Sequence, residues 1–170
     1  MKNLSLQGVE AVADIETPLG TMTAAATARG IAALWFDARE RYAEAFVGAA
    51  ENPDHPHIAA ARRWLQAYWA GEDTRAIEVP LDLQGTRFQH AVWQQLLRIP
   101  RGHTWTYGQV AAGVGAGAVA RATGSACGAN PVALIVPCHR VVGANGSLTG
   151  FAAGLPRKER LLQHEGALLV

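Results

Sequence analysis

The stretch Asn130-Pro131-Val132-Ala133-Leu134-Ile135-Val136-Pro137-Cys138-His139-Arg140 constrains this chain more than any other. Five apolar residues between two prolines read as a short strand buried on both faces. Pro137 has no N–H to give to a ladder, so the strand is expected to end there and to deliver Cys138 at its exit. A thiol at the rim of a core, followed at once by an imidazole and a guanidinium, is an arrangement for nucleophilic chemistry. The plainer reading is a small buried hydrophobe, which is how most free cysteines behave.

A length of 170 residues with 49% hydrophobic content is enough for one compact domain or two small ones. The net charge of +1 hides an asymmetry. Residues 86–170 carry eight Lys/Arg against two Asp/Glu, a balance of +6, and residues 1–85 carry seven against twelve, a balance of −5. Such a split points to a C-terminal half that faces a polyanion, unless the excess is spread over several solvated faces. Cys127 and Cys138 are the two cysteines, and neither stands in a metal-ligand spacing. The Met1-Lys2-Asn3-Leu4 start has no apolar signal core and no run reaches membrane-spanning length. A cytoplasmic protein with reduced thiols is expected, without a Cys127–Cys138 disulfide.

Residues 9–36 alternate and punctuate like a β-meander, with turns at Thr17-Pro18-Leu19-Gly20 and Ala28-Arg29-Gly30 and a strand from Ile31 to Phe36. Residues 37–52 are ambiguous. Asp54-His55-Pro56 opens a helix with Ile58, Ala61, Leu65, Tyr68 and Trp69 on one face and Gly71 as its stop. His55 and His57 are expected in an exposed loop at that helix start. Ile77 to Leu83 reads as a last short strand. Nothing before Thr86 carries recognisable chemistry.

Thr86-Arg87-Phe88-Gln89 and Thr106-Tyr107-Gly108-Gln109 both have the form of a capping box, which satisfies free N–H groups at a helix start. Phe88, Val92, Leu96 and Ile99 follow the first at helical spacing until Pro100, and His90 lies off that stripe. The second opens a short helix that Gly113-Val114-Gly115-Ala116-Gly117 breaks. Ala118 to Cys127 then forms another helix of small residues. Helix, glycine-bearing turn, helix is the outline of a helix-turn-helix. Its second helix is poor in base-reading side chains, offering Arg121, Thr123 and Ser125 among alanines and glycines. Small residues allow close approach to a surface, and one long cation can penetrate it; two ordinary packed helices are the alternative. Gly143 to Gly146 is a tight turn, and Pro156 opens a last helix in which Leu161 and Leu162 pack. Arg157, Lys158 and Arg160 give it a basic face, solvated by default or in contact with phosphate.

Pro137-Cys138-His139-Arg140, the preceding Asn130-Pro131, Thr106-Tyr107-Gly108-Gln109-Val110-Ala111, Ala120-Arg121-Ala122 and the tail from Leu155 to Gly166 together resemble the O6-alkylguanine-DNA alkyltransferase family. The match runs almost without gaps from about Thr86 to Gly166. The resemblance implies an α/β (α+β) fold: an RNase H-like N-terminal scaffold domain, residues 1–85, followed by a mainly helical domain, residues 86–170, with a winged helix-turn-helix-like DNA-binding motif. It implies direct repair, in which an alkyl group moves irreversibly from O6-alkylguanine, and from O4-alkylthymine, to Cys138 in a single turnover.

The roles follow from the same resemblance. Cys138 matches the nucleophile, His139 the base acting through a water, and Glu165, not His164, the acid that orients it. Because adjacent residues of a strand face opposite ways, His139 can serve only if the backbone turns after Pro137. Asn130 matches the residue that tightens the active-site turn, and Tyr107 the phenol that meets guanine N3. Arg121 matches the finger that fills the space of a flipped base. Thr106, Ala120, Ala122 and Ser125 fall on the implied DNA surface. The backbone carbonyls of Cys138 and Val141 and amides near Ala152 are implied to read the base edge. Phe151 stands where many members carry a tyrosine, so stacking is kept without a hydroxyl. Ala133 is expected to widen the pocket toward larger alkyl groups. No metal and no cofactor are implied, and the partner is double-stranded DNA containing O6-alkylguanine, met by a monomer that can assemble cooperatively. A damage-binding relative lacking the cysteine is argued against by Cys138, a regulator by the poor reading helix, and a cysteine hydrolase by the missing oxyanion site.

Overall fold

The computed structural model describes residues 5–115 and 117–168. The Met1 to Leu4 start and Ala116 of the glycine break lie outside them. The chain separates into two compact units divided between Gln84 and Gly85.

The first unit is built on β1 (Ala11–Thr17), β2 (Gly20–Ala26) and β3 (Ile31–Trp35), an antiparallel meander. A two-residue β4 (Ala50–Glu51) lies parallel to β1, giving the order β3-β2-β1-β4. In β1 the alternation is plain: Ile15 is buried while Asp14 and Glu16 face out. The ambiguous residues 37–52 resolve into α1 (Ala38–Arg41), a 3-10 turn over Ala43–Phe46, and β4. Helix α2 (Pro56–Trp69) buries Ile58, Ala61, Leu65 and Tyr68, whereas Trp69 stays half-buried. His55 is its N-cap, accepting from the His57 N–H, so it is a structural part of the helix rather than a loop residue.

The strand expected from Ile77 to Leu83 does not form. Only Leu81 bridges to Ile31. Pro80 has no N–H to extend a ladder, and its carbonyl instead accepts from Ile31 N at 2.8 Å. A side chain at Gly30 would meet that same carbonyl at 2.5 Å, so glycine is what lets the two segments touch.

The second unit holds α3 (Arg87–Leu96), α4 (Tyr107–Val114), α5 (Ala120–Gly128) and α6 (Leu155–His164). Both expected capping boxes are complete, each with a threonine hydroxyl accepting at 3.1 Å and a glutamine side chain accepting at 2.8 Å. Val92, Leu96 and Ile99 are fully buried, as is Trp93, whose indole N–H donates to Ala126 O at 2.9 Å and ties α3 to α5. A two-residue parallel pair joins β5 (Trp105–Thr106) to β6 (Val141–Val142). That pair sets the start of α4 beside the exit of the Cys138 segment.

Residues 132–136 are not a strand. Val132, Ala133, Leu134 and Val136 are wholly buried, as a core run should be, but they form a turn with isolated bridges, among them Ala133–Val136, instead of a ladder. Leu134 takes φ 70°, the one positive φ outside glycine among the described residues. Among the described residues no strand pairs with this segment in a sheet, and the turn's polar groups find other partners. No helix among the described residues is long and apolar enough to cross a membrane.

Candidate active site

The turn that precedes Cys138 is closed by Asn130, itself wholly buried. Its amide donates to Val136 O at 2.8 Å and its carbonyl oxygen accepts from Val132 N at 3.0 Å. One side chain thus supplies what a neighbouring strand would have supplied, as buried backbone groups require. Pro137 then leads into a 3-10 turn over Cys138–Arg140, with Arg140 N donating to Pro137 O at 3.0 Å. At three residues per turn, successive side chains stand about 120° apart rather than opposite. Cys138 is buried to 6% exposure and His139, the next residue, is wholly buried.

His139 Nε2 lies 2.7 Å from Glu165 Oε2. Arg140 grips the same carboxylate with two nitrogens, Nε to Oε1 at 2.7 Å and Nη2 to Oε2 at 3.1 Å, and donates from Nη1 to Ile99 O at 2.7 Å. Burial would raise the Glu165 carboxyl, but the hydrogen bonds and charges of His139 and Arg140 hold it well below the usual carboxylate range. Burial pushes the His139 imidazole below its ordinary value, and the Arg140 charge adds to that, outweighing the pull of Glu165. Glu165 is therefore an anion and His139 a neutral imidazole whose Nε2 carries the proton toward it. The other ring nitrogen, Nδ1, is buried and has no hydrogen-bond partner among the described residues. It is a lone pair positioned to take a proton.

Tyr107, the first residue of α4, donates from its hydroxyl to Thr149 O at 3.1 Å. Burial raises its pKa, so the phenol keeps its proton. Gly150, at φ 55°, passes beneath that hydroxyl; a Cβ there would lie 3.6 Å from it. Lys158 of α6 is wholly buried, and its ammonium donates to Val141 O at 2.5 Å, Thr149 O at 2.9 Å and Gly150 O at 3.4 Å. The expectation of a solvated lysine is thereby corrected: three carbonyls replace its water. Sequence offered one signal, since Lys158 stands three and four residues before Leu161 and Leu162, on their apolar stripe. Arg140 was likewise visible but without a role until the turn aimed it at Glu165.

The remaining expected residues divide. Arg121, Ala120, Ala122 and Ser125 are exposed on one surface of α5, where Ser125 Oγ donates to Arg121 O at 3.3 Å. Thr106 spends its hydroxyl on the α4 cap. Phe151 is half-buried and Ala152 exposed in the loop leading to α6. Val141 is buried, with one lone pair of its carbonyl taken by Lys158. Ala133 is wholly buried inside the turn, which removes the reason for expecting it to widen a pocket. Cys127, also buried, has its thiol pushed up to about 12, first by burial and then by the nearby Cys138. Neither thiol is in a disulfide. No group of three His, Cys, Asp or Glu among the described residues could hold a metal ion.

Comparison with known proteins agrees with this geometry. Residues 87–167 match the family described as 6-O-methylguanine DNA methyltransferase, DNA binding domain, and residues 12–83 match its ribonuclease-like domain. A methylated-DNA–protein-cysteine methyltransferase of Methanosarcina acetivorans is 43% identical over 152 residues, 89% of this chain and 96% of that protein. One of Mycobacterium tuberculosis is 52% identical over 114 residues, 67% of this chain and 68% of that protein. The crystal structure of the O6-methylguanine methyltransferase of Mycobacterium tuberculosis superposes with a TM-score of 0.81 at 39% identity, over 92% of this chain and 93% of that one. A structure of that organism's OGT in complex with DNA gives 0.79 at 39% identity over the same shares.

Proposed function

The chain belongs to the 6-O-methylguanine DNA methyltransferase family, and on that premise we propose that it repairs DNA by moving the alkyl group of O6-alkylguanine onto Cys138. O4-alkylthymine is a second substrate of the same chemistry. The observation that carries the reading is the His139–Glu165–Arg140 network built on the two residues that follow Cys138. A free thiol near neutral pH is only a few per cent thiolate, so it needs such a base.

In the proposed step a water relays the Cys138 proton to His139 Nδ1. Glu165 stabilises the imidazolium that forms, in the manner of a triad acid. The Cys138 sulfur attacks the alkyl carbon, the S–C bond forms, and the C–O6 bond breaks. The electron pair passes into the purine, whose developing negative charge Tyr107 meets by donating a hydrogen bond to N3, and the proton taken up by His139 returns through water to the purine, which leaves as neutral guanine. Among the described residues none is placed to hydrolyse the thioether, and the chain acts once. The base reaches Cys138 by flipping through the minor groove, an extrusion that costs roughly a few kcal/mol. Arg121, on an α5 surface of small residues, fills the space it leaves. Residues 1–85 act as scaffold and 86–170 as the DNA-binding and acceptor domain, working as a monomer or in cooperative array.

Incubation with duplex DNA carrying labelled O6-methylguanine tests the reading. One methyl per chain and none in Cys138→Ala is expected; label in excess of one per chain, or unchanged in the variant, overturns it. Arg121→Ala should slow repair in duplex DNA at least tenfold and leave transfer from the free base nearly intact. Equal loss on both substrates would remove the finger role.

A further inference from the structure

Thr149 O is an unusual acceptor, because two donors from different helices converge on it: Tyr107 Oη from α4 at 3.1 Å and Lys158 Nζ from α6 at 2.9 Å. The proposed reaction needs the Tyr107 hydroxyl to leave that carbonyl and turn to the base. A backbone carbonyl left without a donor in a closed site loses its hydrogen-bond energy, which opposes the move. Lys158 removes that opposition, since it holds Thr149 O whether Tyr107 stays or goes. The same ammonium also fixes Gly150 O and Val141 O, so the loop and the end of the Cys138 turn keep their places while the phenol moves. A buried lysine would ordinarily be an expense to the fold, and helix α6 offers Leu161 and Leu162 as an apolar alternative for that face.

We propose that Lys158 is a positioning residue for alkyl transfer, a second donor to Thr149 O that frees the Tyr107 hydroxyl for the purine and pins the carbonyls of Val141 and Gly150 around it. This rests on the functional reading above and adds a role that Tyr107 and Cys138 do not themselves explain. The role assigned to Lys158 runs through Thr149 O, Tyr107 and the loop. Its effect therefore belongs to the transfer step rather than to DNA affinity.

The experiment is a double-mutant cycle on full-length protein, using Lys158→Met, Tyr107→Phe and the pair, with single-turnover rates on duplex DNA carrying O6-methylguanine and affinities for the same duplex. Methionine keeps the length and apolar stem, so the core around α6 remains filled. Lys158→Met is expected to slow transfer at saturating DNA at least tenfold with DNA affinity changed less than threefold. In the Tyr107→Phe background the same substitution should slow transfer less than threefold, because the hydroxyl it serves is gone. Equal slowing in both backgrounds would reduce Lys158 to a structural prop and overturn the proposal, as would an unchanged rate in Lys158→Met. If that variant does not fold, Lys158→Leu, which also removes the donors and matches the apolar face of α6, replaces it in the cycle under the same criterion. Absence of transfer by the unaltered chain would instead refute the functional reading, so the two failures are distinguishable.

Discussion

At the scale of single residues the site is governed by one carboxylate shared between two bases. Arg140 and His139 hold Glu165 as an anion, and Glu165 in turn fixes the His139 tautomer, which leaves the buried Nδ1 as an unpartnered lone pair. The consequence is a sign for the pH dependence. His139 lies below the ordinary 6.5 through burial, so it stays neutral, and able to accept a proton, as pH falls through the usual imidazole range. Single-turnover transfer should therefore persist at pH 6.5 and decline only at lower pH. The two partners push in opposite directions: Arg140 lowers the imidazole and Glu165 raises it. Arg140→Met should move the inflection up, and Glu165→Gln should move it down with a rate loss of about 10²–10⁴, the usual worth of a general base. An inflection at or above 6.5 in the unaltered chain, or the same direction of shift in both variants, would contradict this account.

At the scale of elements the decisive piece is a turn, not a strand. Asn130 satisfies Val136 O and Val132 N inside a segment where both residues are wholly buried. Asn130→Ala leaves both groups unpaired, and at about 1–3 kcal/mol for each unsatisfied buried group it should lower the melting temperature by several degrees. Thermal unfolding measures this, and a melting temperature within a degree of the unaltered chain would exclude the clamp. The same element shows what sequence can and cannot carry. Helices α3 and α4 were legible because a capping box and an apolar stripe are local, written in Thr86, Gln89, Val92 and Leu96. The Val132–Val136 run announced burial correctly, but a strand also needs a neighbour to bond, and Asn130 took that place. Ile77 to Leu83 failed for the same reason at Pro80. The mutual aim of His139, Arg140 and Glu165 depended on the 3-10 turn, and the burial of Lys158 on three carbonyls brought by separate segments. Neither is a property of spacing alone. The family resemblance supplied roles for Cys138, His139 and Glu165 but did not indicate Lys158.

At the scale of the whole molecule the charge split gains definition. Of the eight cations in residues 86–170, Arg140 and Lys158 are spent inside the second unit, which leaves Arg87, Arg98, Arg101, Arg121, Arg157 and Arg160 at or near its surface. If DNA affinity comes from phosphate contacts by these, log Kobs against log salt should be no steeper than about −5, near −0.9 per contact. A titration giving a markedly steeper slope would require cations from residues 1–85. The central claim is narrower, that one particular thiol of two is the acceptor. Cys127 and Cys138 are both buried and neither is in a disulfide, but Cys127 is pushed up to about 12 and stays a thiol, whereas Cys138 is followed directly in the chain by His139, whose imidazole is held by Glu165. Peptide mapping after reaction with labelled O6-methylguanine DNA decides between them. The account predicts label on the Cys138 peptide alone, at one per chain; label on the Cys127 peptide, or on neither, would contradict it.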